Sequence, residues 1–576
     1  MLMQSQRPIV TRTLPGPSVL SALSGLDSLH ARLYAARGVT SPEQLAYGLT
    51  GLAPVSALEN VDAGVRLLLE KRDQRILVIG DFDVDGATST ALMLRCMRAF
   101  GFADVGYLVP NRFDYGYGLS PEIVRVAAEQ APALIVTVDN GISSVAGVRE
   151  AATHGIPVLI TDHHLPGSEL PEAEVIINPN LEGSRFPSRN LAGVGVAFYL
   201  MAALGRELEA QGQKGAAKLP AQYLDLVALG TVADVVPLDH NNRILVQQGL
   251  GRIRCGKTVA GIRALLTRSG RQLSRTVSTD LGFAAGPRIN AAGRLEDISI
   301  GIECLLTDDD SVAEEHAMVL DQINRERRDI ETTMREQALA YVKSLDRNKW
   351  PSCVCVYQES WHQGVVGLIA ARVREVCHRP VIAFAREADG LLKGSARSIP
   401  GVHVRDLLEG VSGMHSDLIV RFGGHAMAAG LTIAAEHYER FSSAVAEQLD
   451  RLYPHADFSG AIVSDGILSA EAITRLGGYL QAARTIRDAG PWGSAFPEPL
   501  WHGDFSVLEQ RTVGENHLKM RLSPAAGGGP IDAIAFNQAG PAYRGVVQLA
   551  YRLDVNEFRG VESAQLIVEQ ITALRD

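Results

Sequence analysis

Ile76-Leu-Val-Ile-Gly-Asp-Phe-Asp-Val-Asp-Gly-Ala-Thr88 decides how the chain is read. The apolar run from Ile76 to Ile79 predicts a buried strand, and Gly80 ends it. Asp81, Asp83 and Asp85 then follow at every second position. With a helix opening over Ala87 to Met97, these acids stand at the carboxyl end of a strand, where open α/β sheets place their ligands. Carboxylates this close repel unless a positive charge sits among them, and a divalent cation supplies one. An acidic turn that merely caps a helix would carry the same residues.

Three further stretches favour the cation. Ala133-Leu-Ile-Val-Thr-Val138 predicts a second strand and runs into Asp139-Asn-Gly141. Ile156-Pro-Val-Leu-Ile-Thr161 predicts a third and ends in Asp162-His163-His164. Tyr223 to Leu229 reads as helical and leads into Gly230-Thr-Val-Ala-Asp234. Strands of one parallel sheet point the same way, so their terminal acids gather at one rim. Hard oxygen donors with one or two imidazoles suit Mn²⁺ or Mg²⁺ better than a thiolate metal.

Asp81-Phe-Asp-Val-Asp-Gly86, Val138-Asp-Asn-Gly141, Asp162-His-His164 and Gly230-Thr-Val-Ala-Asp234 resemble the four motifs of the DHH phosphoesterases. Within that family the match is to the branch of single-strand-specific 5′→3′ DNA exonucleases. The resemblance implies two ions, with Asp83 and Asp139 on one and Asp81 close by. Asp85, Asp139, His163 and Asp234 would take the second, so that Asp139 bridges. His164 would face the scissile phosphate, and Asp162 would orient a histidine from behind.

The chain has 576 residues, too many for one core, and its composition (46% hydrophobic, 21% charged) is that of an ordinary globular protein. No secretory signal and no apolar run of roughly 20 residues is evident, so a cytoplasmic protein without membrane attachment is expected. Its six cysteines show no Cys-x-x-Cys spacing and read as reduced, buried thiols. A net charge of −10 argues mildly against nucleic acid. Distribution argues the other way, because Arg243, Arg252, Arg254, Lys257, Arg263, Arg268, Arg271 and Arg275 lie in a stretch from Asp239 to Asp280 that holds no acid between its ends. That run is a candidate phosphate track, or else a solvated helical face.

The expected fold is α/β. Residues 1–55 form a helical segment, and residues 56–250 a parallel-sheet domain of the DHH type. Residues 251–350 hold the basic run and a long charged helix, Ser311 to Leu345, expected to be solvent-exposed. A smaller α/β domain follows at 351–455, a substrate-binding domain by resemblance. Short strands between Gly/Pro turns at 456–576 predict a β-barrel, an OB-fold by resemblance. Trp492, Phe496 and Trp501 there are candidates for base stacking, with core packing the commoner use.

Several segments offer phosphate contacts. Gly286-Pro-Arg-Ile-Asn-Ala-Ala-Gly-Arg294 places Arg288, Asn290 and Arg294 in a turn rich in small residues. Lys393-Gly-Ser-Ala-Arg-Ser398 sets Ser395 and Arg397 beside a glycine. Gly423-Gly-His425 reads as a helix start carrying His425. Arg112, in the Gly- and Tyr-rich loop from Val109 to Gly118, matches a residue that contacts the DNA end in the family. Asn190-Leu-Ala-Gly-Val-Gly195 is a lone Gly-x-Gly, explained equally by helix packing and by phosphate contact. The resemblance further implies a monomer acting on the 5′ end of single-stranded DNA. Single-strand-binding protein and a RecQ-type helicase are its implied partners. Two alternatives remain at this point: a DHH enzyme of short oligonucleotides or cyclic dinucleotides, and an inactive replication scaffold.

Overall fold

The computed structural model describes residues 6–110, 118–345, 350–387, 390–540 and 542–574. It divides into two compact units, one of Thr11–Asn324 with Ser464–Asp576, the other of Met1–Val10 with Arg325–Val463.

The larger unit is built on five parallel strands: β1 (Arg75–Gly80), β2 (Asp104–Leu108), β3 (Leu134–Val138), β4 (Val158–Thr161) and β5 (Val175–Ile177), in the order β2-β1-β3-β4-β5. Both faces are covered, which is why these strands read as unbroken apolar runs. Ile76, Val78, Leu134 and Val136 enter one core, and Leu77, Ile79, Ile135 and Ile160 enter the other. Truncating one of these fully buried side chains to Ala costs about 2–5 kcal/mol.

Three helices pack on the first face: α1 (Val84–Ala99), α2 (Gly193–Ala210) and α3 (Leu224–Ala233). The chain tightens into a π-helical turn at Leu281–Ala285 and continues as α4 (Gly286–Leu295). Helix α5 (Asp310–Ser344) carries the chain from this unit into the other. It departs from the exposed connector expected from its charges, because a stripe of Ala313, Ala317, Leu320 and Ile323 is buried in the core.

The same unit ends in a closed five-stranded barrel. Its strands β11 (Trp501–Val513), β12 (His517–Pro524), β13 (Ile531–Ala535), β14 (Val546–Phe558) and β15 (Val561–Ala573) close in the order β11-β12-β13-β15-β14. Alternate side chains, among them Phe505, Leu518, Met520, Leu549 and Leu566, fill its interior. Trp501 is buried there too, while Trp492 and Phe496 stack at 5.2 Å and bury against Tyr34. All three aromatics serve packing. Arg37 anchors the N-terminal segment to the stretch that precedes the barrel through a bidentate pair with Asp465, at 2.8 and 3.0 Å.

The smaller unit has the strands β6 (Val354–Tyr357), β7 (Val381–Arg386), β8 (Leu391–Arg397), β9 (Arg421–Gly424) and β10 (Ala428–Ala434), in the order β9-β10-β8-β7-β6. Helix α6 (Val366–Cys377) follows β6, and helices Val404–Met414 and Tyr438–Leu452 complete its core.

Candidate metal centre

The first acidic turn lies where its sequence predicts, but the helix opens earlier, at Val84. Asp83 is its N-cap and accepts the Gly86 N–H at 3.0 Å. Capping and ligation are therefore not alternatives, since a second carboxylate oxygen remains for a cation. Asp139, at the end of β3, takes a left-handed backbone (φ 62°), a conformation Asp and Asn tolerate better than most residues. Asp234 caps the carboxyl end of α3.

These ends converge. Asp81, Asp83 and Asp139 offer ligand atoms within 4.8 Å of one another, as do Asp85, His163 and Asp234, and as do Asp139, His163 and His164. His163 Nε2 lies 3.1 Å from Asp139, 3.5 Å from Asp234 and 4.0 Å from Asp85. Asp139 thus belongs to the first and third groups, and it adjoins the second through His163 at 3.1 Å.

Burial of so much negative charge has its expected effect. Asp85 is pushed up to about 7, first by burial and then by Asp83. Asp139 and Asp234 are pushed well above the usual carboxylate range, again by burial and then by the neighbouring acids. Asp234 Oδ2 is buried without a hydrogen-bond donor among the described residues. Mutually repelling carboxylates and an imidazole, aimed at one another, fit hard divalent cations.

Asp162 does different work. Its Oδ1 accepts the His164 ring Nδ1–H at 2.7 Å and the N–H groups of His163 and His164 at 2.7 and 3.0 Å, while Oδ2 accepts from Ile142 N–H at 2.9 Å. Burial alone would raise its pKa, but these bonds and the His164 charge hold it at about 2. Conversely, burial disfavours the His164 cation, yet Asp162 raises that imidazole to about 9.

Sequence reading missed the supports. Gly193 N–H and Val194 N–H at the start of α2 donate to the two oxygens of Asp85, at 2.6 and 2.9 Å. The Gly-x-Gly therefore binds a carboxylate of the protein itself. A Cβ on Gly193 would lie 2.6 Å from that of Asp139, and one on Gly230 would lie 2.8 Å from Asp85 Oδ1. Asn178 and Asn180 hold the carbonyls of His164 and His163 at 2.9 and 2.7 Å. An Asn-Pro-Asn following a strand was the available signal.

The remaining candidates divide. Asn290 Oδ1 accepts the Val84 N–H at 3.1 Å, which places α4 against the first motif. Arg288 is engaged by Asp321 at 2.7 Å and by the Ala284 carbonyl, and Arg294 is half-buried on the same helix. Arg112 lies outside the described residues. In the smaller unit Arg397 donates to Ser395 Oγ at 2.9 Å, and both stand against Gly367 at the first turn of α6. Burial and then Arg374 push the Arg397 guanidinium down, a cost that an anion there would relieve.

Two expectations are corrected. His425 does not start a helix. Gly423 and Gly424 pair with Gly430 and Ala429 as antiparallel strands, and His425 is exposed on the connecting turn. Gly424 has φ 141°, which suits a tight hairpin and not a helix.

Five of the eight basic residues of the run are engaged within the protein and do not form an open phosphate track. Arg263 pairs with Asp310 at 2.8 Å, Arg268 with Glu314 at 2.7 Å, Arg271 with Asp280 at 3.1 Å, and Arg275 with Glu557 and with Glu562 at 2.8 Å. Arg243 is buried over the Phe496 ring. The run instead ties α5 and the barrel to the sheet domain.

Known proteins with this arrangement are close in sequence. The chain is 50% identical to the single-stranded-DNA-specific exonuclease RecJ of Salmonella typhimurium, over 99% of this chain and 100% of that one. It belongs to the RecJ family. The Escherichia coli RecJ is likewise 50% identical, over 95% of this chain and 96% of its own.

Residues 75–231 match the N-terminal domain of the DHH family, 351–451 the DHHA1 domain and 464–570 the RecJ OB domain. The fold is thus that of RecJ, with the barrel its OB domain. A crystal structure of RecJ from Thermus thermophilus with Mn²⁺ superposes with a TM-score of 0.81 at 30% identity, covering 99% of this chain and 80% of that one. The same protein has been solved with Mg²⁺. No helix among the described residues is long and apolar enough to cross a membrane.

Proposed function

We propose that this chain is a metal-dependent exonuclease that degrades single-stranded DNA from its 5′ end to mononucleotides, serving DNA repair and recombination. The observation that carries the reading is the convergence of Asp81, Asp83, Asp85, Asp139, His163 and Asp234 on one buried spot. Asp83 and Asp139, with Asp81, would hold one Mn²⁺ or Mg²⁺, and Asp85, Asp139, His163 and Asp234 the other. When bound, such a pair activates water for attack on phosphorus and stabilises the departing oxygen.

The protein's own groups do the rest. Gly193 and Val194 fix the Asp85 carboxylate by two N–H donors, so its angle does not depend on the cation. Asp162 keeps His164 protonated at neutral pH and turned away from tautomeric choice, so His164 presents a cationic N–H to a phosphate oxygen. Arg288, Asn290 and Arg294 would line the path of the strand. Ser395 and Arg397 supply a donor pair at a helix start, which suits a terminal 5′ phosphate, and His425 on its exposed turn would assist.

The OB domain would hold the trailing strand by stacking and charge. The protein would act as a cytoplasmic monomer alongside single-strand-binding protein and a RecQ-type helicase, partners implied by the family resemblance.

Digestion of end-labelled strands, single or duplex, with each divalent ion and with one end blocked, tests the reading. Loss of activity on blocking the 5′ end, with a 3′ block tolerated, is expected. The opposite pattern, or equal digestion of duplex, would overturn it.

A further inference from the structure

Two exposed apolar side chains stand out near the segment that ends in Asp234. Val235, the next residue, is 66% exposed and has φ 63°, a left-handed conformation that a β-branched residue strongly disfavours. Phe283 is 76% exposed in the middle of the π-helical turn Leu281–Ala285, whose Leu281, Ala284 and Ala285 are buried. Such turns are rare and gather at functional sites.

This turn is seated on the metal centre's own scaffold. A Cβ at Gly282 would lie 3.3 Å from Val232, and one at Gly286 would lie 3.4 Å from Ala233 and 3.9 Å from Val84. Val232 and Ala233 lead into Asp234, and Val84 lies between Asp83 and Asp85. Asn290, one helical turn further on, bonds to the Val84 N–H. Phe283 therefore projects from a segment clamped to both the first and the fourth acidic motifs.

Single exposed apolar residues are ordinary. Here, however, two uncommon backbone conformations each hold an apolar side chain in solvent, one directly after Asp234 and one on a turn packed against the helix that ends there. Packing explains neither, since neither side chain is packed.

We propose that Phe283 positions the substrate by taking the face of an unpaired base next to the metal centre, with Val235 on the adjoining turn as a second apolar contact. An aromatic ring stacks on any base, so the contact holds the strand without reading its sequence. It also contributes to selection of single strands, because in a duplex the base faces are already covered by their neighbours. The inference rests on the reading of the chain as an exonuclease of single strands.

The test compares two 5′-labelled strands, one ordinary and one with abasic residues replacing the nucleotides nearest the 5′ end. Wild type, Phe283→Ala and Phe283→Tyr are each measured for kcat and KM, with circular dichroism to confirm folding. The wild type should lose about ten-fold in kcat/KM on the abasic strand, the scale of one lost base–aromatic stack. Phe283→Ala should lose about the same on the ordinary strand and nothing further on the abasic one, while Phe283→Tyr stays near wild type. An active wild type with a Phe283→Ala variant that matches it on the ordinary strand, or that remains fully sensitive to base removal, overturns this inference alone. A wild type inactive on the ordinary strand overturns the exonuclease reading beneath it.

Discussion

Gly193 lies against two acids at once: its N–H donates to Asp85 at 2.6 Å, and a Cβ at its position would lie 2.6 Å from the Cβ of Asp139. One residue at the start of α2 thereby sets the spacing between the shared acid and the second cluster. Gly193→Ala forces these groups apart by several tenths of an ångström at least. The expected result is a 10–100-fold loss of metal affinity, on the scale seen when groups behind metal ligands are altered. Calorimetric titration with Mn²⁺ checks this, and unchanged affinity in a folded variant would contradict it.

Asp139 is held at a cost when no cation is present. Its pKa, like those of Asp85 and Asp234, is raised by burial and then by neighbouring carboxylates. A carboxyl with a raised folded-state pKa binds its proton more tightly in the fold than in the unfolded chain. Metal-free protein should therefore lose stability from these groups as pH rises from about 4 towards about 7, the value for Asp85. Asp139→Asn should flatten that decline and raise Tm at pH 7 by a few degrees, and should also lose the rise in Tm that Mn²⁺ gives the parent. Melting curves with chelator and with Mn²⁺ measure both. A variant that melts lower than the parent without metal would count against the strained-acid account.

Asp162 and His164 titrate in the opposite sense. The folded-state pKa of Asp162 is lowered to about 2, so its contribution is present above the ordinary aspartate value and fades as pH falls towards 2. That of His164 is raised to about 9, so its contribution is complete below the ordinary histidine value and fades as pH rises through 9. In chelator-treated protein the His164 ring should titrate near 9 by NMR. Asp162→Asn should bring that midpoint down by more than one unit, because the largest favourable partner of the imidazolium is gone. A midpoint that stays put would show that Asp162 does not hold the proton on His164.

Asp465 is the place where the N-terminal segment and the barrel depend on each other. It receives both Arg37 Nη atoms and the Leu500 N–H, and the Arg37 side chain is fully buried. Asp465→Ala leaves a buried guanidinium without its counter-charge, which costs about 3–5 kcal/mol. Denaturant unfolding should show the loss, and Asp465→Asn should recover part of it through its remaining oxygen. Equal stability of parent and Asp465→Ala would rule out this anchoring role.

The sequence made the acidic rim legible because each acid follows a strand whose apolar run is self-evident, and parallel strands deliver their ends to one edge. The same logic failed wherever the partner came from far away in the chain. Arg275 reads as free until Glu557 and Glu562, nearly 300 residues later, close on it. Gly193 reads equally as helix packing or phosphate contact until Asp85, from the first motif, arrives at its N–H. His425 was misread for a local reason: two glycines before a histidine suit a helix start and a hairpin equally, and only pairing with Ala429 and Gly430 decides. Local pattern gave the chemistry, and long-range contact gave its supports.

The central claim is that acids from four segments form one centre for two ions, shared through Asp139. Mn²⁺ binding to the chelator-treated full chain, followed by calorimetry and by direct metal analysis of the dialysed protein, tests it most directly. Two ions per chain are predicted for the parent, with fewer than two and weaker binding for Asp139→Ala. A parent that saturates at one ion, or an Asp139→Ala variant that still binds two with parental affinity, would contradict it.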